Sequence, residues 1–204
     1  MKETVHIEEP KLARFLFASP AAAPIWLVAR VWLGYQWLHA GWEKITGTGG
    51  GTFSWHLGST QESWLRSSAG LKGFVGFALK GAGGEHASVN YGWYASFLRW
   101  IEHSGAGFMA PAIAIGEFLI GVALIVGLFT AIAAFFGGTL TMSFGLAGVA
   151  GVNPLFFLVE VLLILAWRNA GYYGLDRYVL SALGTPWRPG RLFRREPRVA
   201  VVAA

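Results

Sequence analysis

Phe108–Gly151 reads FMAPAIAIGEFLIGVALIVGLFTAIAAFFGGTLTMSFGLAGVAG, 44 residues with a single charged side chain, Glu117. One membrane-crossing helix takes about 20 predominantly apolar residues, so this stretch holds two. The interruption falls at Gly127-Leu-Phe-Thr130, where a glycine and a polar residue break the apolar run. Asn153-Pro154 supplies the next break, because proline suits a helix start and cannot continue a helix. Leu155–Trp167 is a third apolar run, closed by Arg168. Pro24–Ile45 is a fourth, charged only at Arg30, Glu43 and Lys44. The expected fold is all-α: a polytopic membrane protein built as a four-transmembrane-helix bundle. Its spans are 24–45, 108–128, 131–151 and 153–168, with a long extracytoplasmic loop between helices 1 and 2.

Composition points the same way. Of 204 residues, 54% are hydrophobic and 13% charged, about half the charged share of an ordinary soluble domain. That deficit argues against a disordered chain, a nucleic-acid binder and most soluble enzymes. Ten Trp and fifteen Phe suit a lipid-facing protein. With no Cys there is no disulfide, thiolate nucleophile or iron–sulfur cluster, and cysteine usage says nothing of compartment.

The net charge of +5 is unevenly placed. Residues 1–23 balance Lys2, Lys11 and Arg14 against Glu3, Glu8 and Glu9. Residues 178–204 carry Arg188, Arg191, Arg194, Arg195 and Arg198 against Glu196 alone. Positive charge collects on the cytoplasmic side of membrane proteins, which puts the C-terminus inside the cell membrane and, after four spans, the N-terminus too. The basic pI then reports orientation and gives no support to a nucleic-acid partner. Residues 1–14 mix charges of both signs, and Ala21, Ala22 and Ala23 precede the apolar run where a cleavage site would follow it. The first span is therefore expected to persist. The chain divides into a cytoplasmic segment 1–23, a membrane domain 24–178 and a basic tail 179–204.

The outer segment 46–107 opens with the flexible Gly47-Thr-Gly-Gly-Gly51 and contains Trp55, Trp64, Trp93, Tyr94 and Trp100, which suit the membrane interface. Leu71–Ala82 is weakly apolar and too short to span. Tyr91–His103 reads as a separate helix with an aromatic face, lying on or capping the bundle.

Ionisable side chains within spans are costly and usually pair in the bundle interior. Three stand out: Arg30, Glu117 and Glu160. Counting ~1.5 Å per residue from the cytoplasmic ends places all three in one layer, so Arg30 is expected to pair with Glu117, Glu160 or both. One reading is a structural ion pair that sets helix register. The other is a proton or quinone-headgroup site in which the second carboxylate takes up a proton.

Arg30, Gly34, Trp37, Gly41 and Lys44 repeat at steps of 4, 3, 4 and 3, one stripe of the first helix. Gly34 and Gly41 allow close approach of a neighbouring helix or a flat ligand, and Gly116, Gly121, Gly137, Gly138, Gly145 and Gly148 support the packing reading. His39, Glu43 and Lys44 gather at the outer end of the span with Trp37 below. They either line an outward-facing substrate pocket or form a solvated cluster. His56, His86 and His103 lack metal-site spacing, so no metal is assigned. Asp176 and Arg177 either pair locally or cap the short inner turn.

These pieces occur in a familiar order: Arg30-x3-Gly34-x6-Gly41-x-x-Lys44, Tyr91-x-Trp-Tyr-Ala-Ser-Phe97, Gly116-Glu117-x3-Gly121-x5-Gly127-x-x-Thr130, and Arg168-Asn-Ala-Gly-Tyr-Tyr-Gly-Leu-Asp176-Arg177. Together they span about residues 24–178. The chain resembles the DoxX/DoxD family of small four-helix membrane proteins. The last piece and the long outer loop are similar to the DoxD-type large subunit of thiosulfate:quinone oxidoreductase. The resemblance implies electron transfer from a sulfur compound such as thiosulfate to a membrane quinone, with a second subunit. Position alone assigns Arg30, Glu117 and Glu160 to the catalytic polar site and His39, Glu43, Lys44 and Trp37 to substrate binding. The alternative is a non-enzymatic membrane anchor for a soluble redox partner. A homo-oligomer is compatible with either, and a small solute carrier ranks last because no inverted repeat is present.

Overall fold

A computed structural model describes residues 9–47, 62–80, 89–149 and 151–184, and among them all regular structure is helical. Thr48–Gly51, Trp55, His56, His86 and the arginine-rich tail lie outside the described residues. A short helix α1 (Lys11–Ala18) and a 3-10 turn (Pro20–Ala22) lead into α2 (Ala23–Thr46). Pro24 opens α2, and Gly47 closes it at φ 75°, a left-handed conformation natural to glycine. α3 (Ala69–Lys80) follows.

Gly92–Val126 is then one continuous helical run of 35 residues. It comprises α4 (Gly92–Trp100), a π turn (Ile101–Gly105) and α5 (Ala106–Val126). The expected separate helix over 91–103 is thus the start of the second long helix, which begins well before residue 108. Arg99, Glu102 and His103 fall inside that run. Here Arg99 and His103 are exposed on the helix surface and interrupt nothing. The π turn inserts extra backbone, so the buried face changes direction without a break. Gly105 makes room for the Trp100 ring, which would lie 2.7 Å from a Cβ at that position.

α6 (Thr130–Leu146) follows a turn at the expected Gly127–Thr130, and α7 (Asn153–Leu165) starts at the expected Asn-Pro. α8 (Asp176–Leu183) completes the described chain. Gly92–Val126 is long and apolar enough to cross a membrane. Lys11–Ala18 and Pro20–Thr46 pass the same test only as a pair bent by 67°. α6 and α7 are apolar but shorter than a usual span, at 17 and 13 residues.

α2 and α5 run antiparallel in close contact. A Cβ on Gly41 would collide with the Phe118 backbone, and one on Gly121 with the Leu38 backbone. A Cβ on Gly34 would lie 2.9 Å from the Leu124 and Ile125 side chains. These glycines serve helix packing, as the stripe suggested. Gly116 and Gly145 do not, because a Cβ on either meets open space. Two apolar cores result. Leu33, Leu124, Ala134 and Leu163 join α2, α5, α6 and α7. Leu71, Val75, Leu98 and Ala106 join α3 to the long helix.

Candidate functional site

Arg30, Trp37 and Lys44 lie seven residues apart on the packed face of α2, so their backbones are about 10 Å apart along the helix. Each engages a different partner.

Arg30 is fully buried; both Nη atoms donate to backbone, and Nε has no partner among the described residues. Nη1 donates to Leu124 O at 2.7 Å and Ile125 O at 3.1 Å, and Nη2 to Tyr173 O at 3.3 Å. The expected pairing of Arg30 with Glu117 or Glu160 is therefore not formed. The reason is depth. On antiparallel α2 and α5, Gly34 packs against Leu124 and Ile125 and Gly41 against Phe118, so Arg30 lies level with the end of α5, whereas Glu117 lies level with Trp42, about 18 Å further along α2. The cation instead meets the carbonyls that end α5, where the helix dipole favours it.

Opposite it, Asp176 closes the α5–α6 turn. Its carboxylate accepts from Phe129 N at 2.5 Å and Thr130 N at 2.9 Å, capping α6 from a distant part of the chain. Phe129 adopts φ 49°, uncommon for a bulky residue, and this cap holds it there. Asp176 N also donates to Gly127 O at 2.8 Å. Gly171 and Gly174 leave the space this requires, because a Cβ on Gly171 would collide with Asp176 and one on Gly174 would lie 2.7 Å from Gly127 Cα. The capping role considered for Asp176 holds, while Arg177 lies over the Tyr172 ring at 4.9 Å.

Lys44, two residues beyond the level of Glu117 and leaning back towards the start of α2, reaches it. Lys44 Nζ lies 2.6 Å from Glu117 Oε2, with Glu117 1% and Lys44 22% exposed. The ammonium also sits 5.4 Å from the centre of the Trp64 ring, in cation–π range. Trp64 is fixed by its backbone N–H, which donates to Lys44 O at 2.9 Å. Glu117 Oε1 is buried and has no hydrogen-bond partner among the described residues.

Glu160 forms the third cluster. Its Oε1 accepts from Trp37 Nε1 at 3.0 Å and from Thr141 Oγ1 at 3.1 Å. Its Oε2 has no partner among the described residues. Gly137 and Gly138 create the notch, since a Cβ on Gly137 would lie 2.8 Å from Oε1 and one on Gly138 3.5 Å from Oε2.

The proposed outer set is thereby divided. Trp37 and Lys44 face the bundle and hold the two buried carboxylates. His39 and Glu43 lie 3.8 Å apart on another face of α2, with the Tyr35 ring stacked on His39. His103 turns back to Arg99 O. Thr141 and Trp64 carry no motif of their own, and only proximity in the fold reveals them.

A family model described as DoxX matches residues 25–149. The chain belongs to the DoxX family. The matched region of this DoxX protein contains Arg30, Trp37, Lys44, Glu117 and Thr141, whereas Glu160 and Asp176 lie beyond it. The family is membrane-integral, in keeping with the long apolar helix Gly92–Val126. No curated protein and no solved structure is significantly similar to the chain.

Proposed function

We propose that this DoxX protein is a four-span protein of the cytoplasmic membrane, both termini inside, that passes electrons to a membrane quinone alone or as the membrane subunit of a larger enzyme. α2, the long helix, α6 and α7 are its spans. The short α6 and α7 are accommodated by local thinning of the bilayer and by the turns that follow them.

The observation that carries the reading is the Lys44–Glu117 pair, a charged couple in apolar helices whose second carboxylate oxygen has no partner among the described residues. A flat ring bearing carbonyl oxygens fits such a pair, which offers a cationic donor, a proton-holding oxygen and the nearby Trp64 face. A bound quinone supplies the two-electron, two-proton chemistry. Lys44 holds positive charge beside a carbonyl oxygen, Trp64 positions Lys44, and Glu117 holds a proton at Oε1. Glu160 is a second proton-holding group, seated by Trp37 and Thr141. Arg30 leaves the catalytic set and becomes a structural residue. The chain has no Cys, so the electrons come from thiosulfate or another sulfur donor directly, or from a partner's cofactor. The same absence favours the second reading, an anchor whose soluble partner performs all the redox chemistry.

The test is quinol formation by the purified protein in liposomes supplied with thiosulfate and a soluble quinone. Glu117→Gln is expected to lower the rate by about 100-fold, the scale of a lost proton-transfer group. A wild-type protein that forms no quinol, yet co-purifies with a soluble redox protein, would support the anchor reading instead.

A further inference from the structure

We infer that α1 is an interfacial helix that lies along the membrane surface and binds anionic lipid headgroups at the end of the bundle where α2 begins and α7 ends. The inference needs the bundle to sit in a bilayer and does not depend on quinone chemistry.

The first observation is placement. α1 meets the helix that follows it at 67°, so it crosses the end of the bundle and does not extend α2. It is pinned there by side chains from two other segments. Trp26 Nε1 donates to Leu16 O at 2.7 Å, and Asn169 Nδ2 donates to Leu16 O at 2.9 Å and to Ser19 O at 2.8 Å. The Phe17 and Trp26 rings stack at 5.8 Å.

The second observation is the division of its surface. At about 100° per residue, α1 presents three arcs. Ala13, Leu16 and Phe17 form the arc towards the bundle and are partly buried. Leu12 and Phe15 form a second apolar arc, yet are 70% and 43% exposed. Lys11 and Arg14 form the third, both exposed, and neither has an ion partner among the described residues. A helix with one face on protein, one bare apolar face and one cationic face is matched by the boundary between acyl chains and headgroups. The bare apolar arc takes acyl chains, and the basic arc takes phosphate.

The third observation is the charge of the neighbourhood. Arg168, just after α7, reaches Glu9 beside the start of α1 at 3.9 Å, and Asp176, the other described acid at this end, lies buried beside the α5–α6 turn. With Arg168 set against Glu9 and Arg30 against Asp176, the net positive charge of the described residues at this end rests on Lys11, Arg14 and the exposed Arg177, and on α1 itself Lys11 and Arg14 attract an anionic leaflet.

The cysteine-free chain permits a direct test with full-length protein. Leu12→Cys and Arg14→Cys would each be labelled with an environment-sensitive fluorophore and placed in vesicles of phosphatidylcholine, with or without phosphatidylglycerol. The label at position 12 is expected to be quenched by lipid-borne nitroxides and shielded from aqueous iodide, and the label at position 14 the reverse. Lys11→Gln and Arg14→Gln are each expected to weaken the preference for phosphatidylglycerol about fivefold, read from the lipids retained on purification. Equal iodide access at both positions would overturn the proposal, as would lipid retention unaffected by both substitutions. Ready disulfide dimerisation of Leu12→Cys would assign the apolar arc to a second copy of the chain and overturn it as well.

Discussion

Lys44→Met is expected to destabilise the folded protein by about 3–5 kcal/mol, because it leaves the Glu117 carboxylate buried without its cation. Glu117 is 1% exposed and its Oε1 already lacks a partner among the described residues, none of which replaces the ammonium. Lys44→Met paired with Glu117→Leu removes both charges and both desolvation costs, and is expected to return stability to within about 1 kcal/mol of wild type. Thermal unfolding in a fixed detergent, read for both single variants and the double variant, checks the coupling. The double variant also separates structure from function. It should fold, and it should form no quinol. A double variant as unstable as Lys44→Met alone would show that the pair is not the source of the cost.

The second large effect belongs to the opposite end of α2. Arg30→Leu is expected to cost about 3 kcal/mol or more, because it removes charge-assisted bonds to three carbonyls and leaves those at Leu124 and Ile125 buried at a helix end. It also withdraws the cation that interacts with Asp176. The α5–α6 turn should loosen, since Asp176 holds Phe129 and Thr130 while Arg30 holds the carbonyls before Gly127. Protease sensitivity in that turn, measured beside thermal unfolding, distinguishes local loosening from global loss. Quinol formation per folded molecule should survive in Arg30→Leu, in contrast to the Glu117 variant. A folded but inactive Arg30→Leu would return this residue to the catalytic set.

Much of the fold can be read in the residues themselves. Gly127 and Thr130 bracket the turn because a glycine at positive φ ends one helix and a polar residue starts the next. Asn153-Pro154 starts α7, and the 4-3-4-3 stripe from Arg30 to Lys44 is the packed face of α2. Two features could not be read. The continuity of Gly92–Val126 depends on Arg99 and His103 pointing away from the core, and a linear sequence does not show that direction. The pairing of charges depends on the register between helices. Counting residues from the expected span ends places Arg30, Glu117 and Glu160 in one layer, but the contacts of Gly34 and Gly41 set Arg30 level with the end of α5 and Glu117 about 18 Å away. The same geometry joins Lys44 to Glu117, a pair hidden by the apparent distance of Lys44 from the centre of its span. Trp37 bonds a carboxylate from α7, more than a hundred residues away in sequence, and only the assembled bundle brings the two together.

Quinone binding to the purified, lipid-reconstituted protein, followed through quenching of tryptophan fluorescence, tests the central claim without requiring the electron donor. Trp64 lies beside Lys44, so Trp64→Phe reports whether the quenching arises at that pair. Saturable quenching is predicted, diminished in Trp64→Phe and with affinity at least tenfold weaker in Glu117→Gln, a loss of about 1.4 kcal/mol. Quenching that does not saturate, or an affinity unchanged by Glu117→Gln, would contradict the assignment of the Lys44–Glu117 pair as the quinone site.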